Sequence, residues 1–496
     1  MILHRASGIL LHPTSLPGPH GIGALGPEAF AFVDFLAAAG QSVWQILPLG
    51  PTGYGDSPYS SLSDFAGNPL LICLERLVEA GDLTPDELAG VMIPEGVTAF
   101  AEVHEIKGRL LPLAARRFQD RADPERRAGF EAFCGRQAAW LDDYALFSAL
   151  RRHFDDQPWY RWPAGVRNRE AQELARWRGE LAAPVFAERY AQFVFDEQWQ
   201  ALKSYANGRG IDILGDIPIF VALDSADVWA HPDLFRLDAK GEPTVVAGVP
   251  PDYFSATGQR WGNPLYRWER LAETDFAWWL ERFQRNLELA DLVRIDHFRG
   301  FEACWVIPAT EETAERGEWE KVPGAALFQR LAQEFGEAPI IAEDLGVITP
   351  EVEALRDRFG FPGMKILHFA FGSGPANPYL PHNLPPACVL YTGTHDNDTT
   401  LGWWRSLDPE TRASVDAYLG PGAEEMPWAL IRLGLASVAR LAIFPLQDLL
   451  ALGSEARLNT PGRPEGNWGW RFLPGVLTPD LQQRLAELCH TYGRHP

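Results

Sequence analysis

Four short apolar runs, far apart in the chain, each lead to an acidic residue, and this recurrence constrains the fold more than any other feature. They are Gly210–Asp216, Leu292–Asp296, Ala338–Glu343, and Val389–Tyr391, which reaches Asp396 through Thr392–His395. Such runs have the length of a buried strand, and near-continuous apolarity is what a parallel strand covered on both faces requires. In a closed barrel of parallel strands every carboxyl end opens on one face, so acids placed there converge on a single cleft. Taken alone, Asp296 between Arg294 and Arg299 reads equally well as a structural ion pair. Four such acids read as one site assembled from distant segments.

Further strands are expected at Ser7–Leu16, Gln41–Leu49, Gly363–Ala370 and Leu441–Pro445, with helical patterns between them. The segment Pro27–Ala39 has Pro27 at its first turn, and Thr349 followed by Pro350 is a helix-start signal. The segment Asp275–Leu289 puts Phe276, Trp279, Leu280, Phe283 and Leu287 on one face, which reads as core packing. Strands alternating with helices give an α/β chain: a (β/α)8 TIM barrel spanning 1–496 as one catalytic unit, with no separate C-terminal β domain. Two insertions interrupt it. Residues 70–207 carry only helix-period patterns, and 238–268, dense in Gly, Pro and aromatics, is expected to be an active-site loop forming a rim or lid. The Gly50–Ser63 loop, rich in Gly, Pro, Ser and Tyr after an apolar strand, reads as ligand-facing.

Charge narrows the function. With 44 basic against 66 acidic residues, the formal net charge of −22 disfavours nucleic acid and anionic lipid. The five cysteines are scattered and never spaced Cys-x-x-Cys, which argues against a disulfide framework or a zinc site. Neither a signal-peptide pattern nor a stretch of about 20 apolar residues is present, so the cytoplasm is the expected location and no membrane partner is expected. The Gly21-Ile-Gly23-Ala-Leu-Gly26 run matches a dinucleotide-binding pattern literally. However, no strand abuts it and Ile46 stands where a ribose-binding acid belongs, so it reads as a tight loop. The Asp396-Asn-Asp398 tripeptide lacks the glycine and later glutamate of a calcium loop. No metal and no cofactor are expected.

Several motifs carry a family resemblance: Arg294–Gly300 (Arg-Ile-Asp-His-Phe-Arg-Gly), Ala342–Gly346, Thr392–Thr399, Pro250–Ser255, Gln259–Pro264 and Pro461–Trp468. On these, from Leu11 to Trp468, the chain resembles the amylomaltases, the 4-α-glucanotransferases of glycoside hydrolase family 77. The resemblance implies a retaining double displacement on malto-oligosaccharides and α-1,4-glucans. Asp296 would be the nucleophile, Glu343 the acid and then base, and Asp396 the group that binds sugar hydroxyls. It also implies that Tyr59 lies beneath the reacting sugar and that Asp216, Tyr253, Phe254, Gln259, Trp261, Arg294, His297, His395 and Asn467 bind substrate. One departure is Gly372-Ser-Gly374, where some relatives carry an acid.

An α-glucoside bond breaks with positive charge building on the anomeric carbon, so one carboxylate must face that carbon and one carboxylic acid must face the leaving oxygen. Three readings stay open on the residues: a glucanotransferase, an α-1,4-glucan hydrolase using the same acids, and a glucan-binding protein without catalysis. The third is disfavoured because all three acids are present.

Overall fold

The computed structural model describes residues 4–93, 95–251, 255–463 and 465–495. Twelve strands run in chain order: β1 (Ala6–Leu10), β2 (Val43–Gln45), β3 (Asp212–Pro218), β4 (Val245–Val249), β5 (Gln259–Pro264), β6 (Leu292–Asp296), β7 (Ala303–Pro308), β8 (Glu318–Lys321), β9 (Ile340–Ala342), β10 (Gly363–Ile366), β11 (Cys388–Tyr391) and β12 (Leu441–Pro445). Eight of them close a barrel in the order β1-β12-β11-β10-β9-β6-β3-β2. All the barrel pairings are parallel, which confirms the expected TIM barrel. The barrel is packed solid by Leu10, Val43, Leu214, Leu292, Ile341, Met364, Val389, Leu441 and their neighbours.

Several strands are shorter than the apolar runs that announced them. The first ends at Leu10, and Pro13–Ser15 forms a 3-10 turn, because Pro13 cannot continue a ladder that needs its N–H. The tenth ends at Ile366 and passes into another 3-10 turn at Leu367–Phe369. Helices Pro27–Ala38 and Ala277–Leu289 pack outside the barrel as expected, and Trp279 and Phe283 of the latter are wholly buried. Thr349 caps the helix Pro350–Arg358 in extended conformation with Pro at its first turn.

The 70–207 segment is helical from Leu74–Glu79 to the long Ala182–Gly208 helix, which delivers the chain to β3. The 238–268 segment differs from the expected loop. It contributes β4 and β5 to a four-stranded antiparallel sheet of order β5-β4-β7-β8. Its glycines hide the period of two. A Cβ at Gly248 would meet Gln259 O at 2.2 Å, so the backbone approach itself demands glycine. Its strands come from the connections that leave the carboxyl ends of β3 and β6, so this sheet stands over the face where the acids emerge.

Gly23 likewise serves packing, since a Cβ there would lie 1.9 Å from Pro13 O, which bears out the tight-loop reading. Where the first and last strands meet, Arg494 seals the joint. It is wholly buried and donates to the carbonyls of Ala6 (2.7 Å), Leu435 (2.7 Å) and Ala439 (2.8 Å). Among the described residues no helix is long and apolar enough to cross a membrane.

Candidate active site

Strand register determines which charges meet. Asp216 of β3 pairs directly with Arg294 of β6, and Asp296 follows two residues later on the same face. Arg294 splits its guanidinium between them, one nitrogen 2.6 Å from Asp216 Oδ2 and the other 2.8 Å from Asp296 Oδ1. Burial opposes the charge on Arg294, but Asp216 and Asp296 outweigh it and hold the guanidinium protonated well above its ordinary range. Tyr59, brought in by the loop after β2, donates its hydroxyl to the same Asp216 Oδ2 at 2.6 Å. That loop is pinned from behind: Asp64 is ion-paired to the buried Arg282, and Asp64 N and Ser63 Oγ donate to Asp227 at 2.8 and 3.1 Å.

Asp216 is one of the residues expected to bind substrate. It lies inside β3, two residues before the strand ends, and its side chain is 0% exposed behind Tyr59 and Arg294. A carboxylate enclosed in this way holds its neighbours Tyr59 and Arg294.

Glu343 follows β9, the strand beside β6, and its backbone N–H donates to Ile295 O at 3.0 Å. Its carboxylate accepts from His297 N at 2.8 Å and from Leu345 N at 3.0 Å. Burial first, then the charge of Asp296, pushes Glu343 up to about 8, with Arg294 working against them. A carboxyl so tuned is protonated at neutral pH. Asp296 keeps its side chain 31% exposed toward the cleft. Directly after it, His297 sits at φ 52°, a left-handed turn that a non-glycine residue adopts at a cost of about 1–3 kcal/mol. The turn leaves His297 Nε2 buried with no protein partner. Burial lowers His297 to about 4, so its ring is neutral and free to hydrogen-bond hydroxyls.

Asp396 lies on the turn five residues beyond β11, not at the strand end, and its side chain is 44% exposed. His395 Nε2 is 3.4 Å from one of its oxygens. Burial keeps His395 neutral by lowering its pKa. The His395 ring stacks on Tyr59 with 5.2 Å between centroids, and Trp468 leans on Tyr59 at 6.0 Å. The neighbouring Asp398 is used internally, accepting from Thr399 N and Ser454 Oγ. Among the described residues no cluster of His, Cys, Asp or Glu could hold a metal ion.

On the other wall Trp261, on β5, sets its ring 4.8 Å from His297 in an edge arrangement, and Gln259 accepts from its indole N–H at 3.1 Å. Both flank the cleft. Tyr253 and Phe254 lie outside the described residues. The Asn467 side chain closes a turn by accepting from Thr460 N (2.9 Å) and donating to Arg463 O (2.8 Å).

Sequence reading missed Arg457 and Asn459. Asn459 Nδ2 donates to Asp396 Oδ1 at 2.6 Å, and Arg457 donates to Asp396 O at 2.7 Å. The only signal was their place beside the Pro- and Gly-rich stretch that contains Asn467.

Two neutral imidazoles, a flat aromatic floor and three carboxyls, one of them protonated, suit a neutral polyhydroxylated ligand. The family model of the 4-alpha-glucanotransferases, glycoside hydrolase family 77, matches residues 11–477. The chain belongs to this family. Similar proteins include the 4-alpha-glucanotransferase of Thermus thermophilus, 56% identical with all of both chains covered. That of Synechocystis sp. is 52% identical, over 100% of this chain and 99% of the relative. Among solved structures, an amylomaltase from Streptococcus agalactiae in complex with acarbose superposes with a TM-score of 0.96 at 39% identity, covering 99% of this chain and 100% of that one. The activity is that of a 4-alpha-glucanotransferase, and these relatives do not favour the hydrolase or binding-protein readings.

Proposed function

We propose that Asp296, Glu343 and Asp396 carry glucan transfer between malto-oligosaccharides by retaining double displacement. The observation that supports it most directly is Glu343, a carboxyl held protonated at neutrality one hydrogen bond from the backbone of the residue that follows Asp296. In the first half-reaction an Asp296 oxygen attacks the anomeric carbon while Glu343 gives its proton to the departing glycosidic oxygen. In the second, Glu343, now ionised, takes the proton from an acceptor hydroxyl whose oxygen displaces Asp296. Asp396, steadied by Asn459, binds hydroxyls of the reacting sugar and favours its distortion. Tyr59 supplies the floor, and neutral His297 and His395 recognise hydroxyls. Gln259 and Trp261 cover the acceptor side.

Transfer beats hydrolysis only where an acceptor displaces water, and the sheet that carries Trp261 over the cleft supports that reading. We also infer a cytoplasmic location, supported by five free cysteines, four of them buried. Product analysis on maltotriose tests the whole proposal. Glucose and longer α-1,4 oligomers should form with little net gain in reducing ends. A steady rise in reducing ends until only glucose and maltose remain would overturn it.

A further inference from the structure

We propose that Asp448, buried just beyond β12, is a positioning residue: its carboxylate ties together the two ends of the Thr392–Thr400 segment and so sets the place of His395 and Asp396 in the cleft. The inference rests on the reading of Asp396 as the group that binds hydroxyls of the reacting sugar.

Strand order brings the acid to the segment. β11 pairs with β12, Tyr391 beside Ile443, so the turns that follow the two strands lie side by side. The chain after β11 runs from Thr392 to Thr400, where the helix Thr400–Ser406 begins, and the chain after β12 enters a short helix, Leu446–Leu449, that carries Asp448. Thr392 Oγ1 donates to Asp448 Oδ2 at 2.6 Å. From the far end, Thr400 Oγ1 donates to the same oxygen at 2.6 Å, and Thr400 N donates to Oδ1 at 2.7 Å. Thr392, Thr400 and Asp448 are all wholly buried. Among the described residues no other group donates to this carboxylate, so it serves the two ends of one segment and nothing else.

The segment is gripped from its other side as well. His368, in the 3-10 turn after β10, donates its backbone N–H to Thr392 O at 3.2 Å, and its Nε2 lies 2.9 Å from Thr400 Oγ1. Thr400 has one hydroxyl proton and gives it to Asp448, so Nε2 is the donor and a chain of hydrogen bonds runs from His368 through Thr400 to Asp448. The His368 ring also lies against Gly393, where a Cβ would meet its Cε1 at 2.7 Å. Between the held ends, Asn397 Oδ1 accepts from Thr394 N at 2.8 Å and from Thr394 Oγ1 at 3.0 Å, which closes Thr394–Asn397 into a compact turn. A turn closed on itself moves as a body when its ends move, and His395 and Asp396 ride on it.

A joint that had only to be stable would be apolar, as it is at Leu446 and Leu449 of the same short helix, because a buried carboxylate gives up its hydration and a well-packed apolar side chain often does as well. What the carboxylate adds is direction. Its two oxygens fix three donors from both ends of the segment, so the separation of those ends, and with it the place of Asp396, is set by the geometry of one rigid group. Asp396 works by meeting hydroxyls of a distorted sugar, and a displacement of about 1 Å in such a group is enough to slow the reaction about 10²-fold.

The test is a double-mutant cycle in the full-length enzyme: wild type, Asp448→Asn, Asp396→Asn and the double variant, with thermal unfolding of each. Fluoride release from α-maltosyl fluoride is followed well below each Tm, since this leaving group needs no proton and slow variants stay measurable. Asp448→Asn keeps the shape and an acceptor for Thr400 N, but turns an NH2 toward two hydroxyls that donate in the wild type. Its kcat should fall about 10- to 100-fold with KM within about threefold. In the Asp396→Asn background the same substitution should cost less than about threefold, because the group it positions is already gone. A wild-type kcat for Asp448→Asn, or an equal loss in the two backgrounds, overturns the proposal, since a role in stability alone leaves the folded enzyme at full rate or acts whichever residue stands at position 396. Asp396→Asn by itself separates the two readings: wild-type turnover there sinks the sugar-binding assignment of Asp396 whatever Asp448 does. Should Asp448→Asn not fold, Thr392→Val takes its place in the cycle, because it keeps the branched side chain and removes one of the two donors to Oδ2. Its loss should be about 3- to 10-fold and should vanish in the Asp396→Asn background, and no loss, or an equal loss in both backgrounds, overturns the proposal.

Discussion

Replacing Glu343 by Gln separates the chemistry of this side chain from its structural work. Both carboxylate oxygens accept backbone N–H groups, from His297 at 2.8 Å and Leu345 at 3.0 Å. A carboxamide offers one oxygen and one NH2, so whichever way it turns, one backbone N–H faces another donor. The unsatisfied pair costs about 1–3 kcal/mol. With an unfolding entropy of about 2.1 cal/mol/K per residue, the whole chain has about 1 kcal/mol/K, so Tm should fall by only about 1–3 °C. The kinetic loss is far larger and depends on the donor. Maltotriose needs its leaving oxygen protonated, and kcat should fall about 10²–10⁴-fold, the usual worth of a general acid. An α-maltosyl fluoride needs no such proton, so glycosylation proceeds while the base-assisted second step is slow. Intact-mass spectrometry should then find one maltosyl group per chain, and peptide mapping should place it on Asp296. Equal losses on the two donors, or an adduct on another residue, would refute the acid/base assignment.

With Glu343 pushed up to about 8, kcat/KM should decline on the alkaline side near that pH, because the protonated form is the active one and is lost as pH rises through the folded-state value; a profile flat to pH 10 would contradict it. Asn459→Ala removes the 2.6 Å hydrogen bond to Asp396, and steady-state kinetics should give a kcat about 10- to 100-fold lower with little change in Tm. Trp261→Ala opens the wall beside His297, so the ratio of released reducing ends to transfer products should rise, as read by chromatography of maltotriose digests. Arg494→Ala strips the joint between β1 and β12 of its donor and should cost at least about 3 kcal/mol in denaturant unfolding while leaving the kinetics of the folded fraction unchanged.

The barrel was legible because its strands are buried on both faces. Nothing polar interrupts Leu292–Ile295 except Arg294, and that interruption marks the site. The ends of strands were less legible. Leu16 is expected in the same strand as Ile9, yet its burial comes from packing after Pro13 has ended the ladder. The small sheet was illegible for the opposite reason. Half-exposed strands such as Gln259–Pro264 announce themselves by alternation, and Gly248 and Gly262 sit where an alternating side chain would stand.

The site shows the same division more sharply. Its acids could be found one by one, because an acid at the end of an apolar run is conspicuous. Which acid is buried among its neighbours and which faces the cleft depends on register across strands nearly eighty residues apart, and no local pattern encodes that. Asp216 and Asp296 look alike in sequence, each closing an apolar run. Pairing Asp216 with Arg294 buries the first completely, while the second, two residues further along its strand, reaches the cleft. Asn459 is the counterpart case: nothing distinguishes it from other loop asparagines until the chain folds back over Asp396. The chemistry of this barrel therefore rests on pairings that the motifs locate but do not specify, and the residues that set those pairings are the ones a motif search passes over.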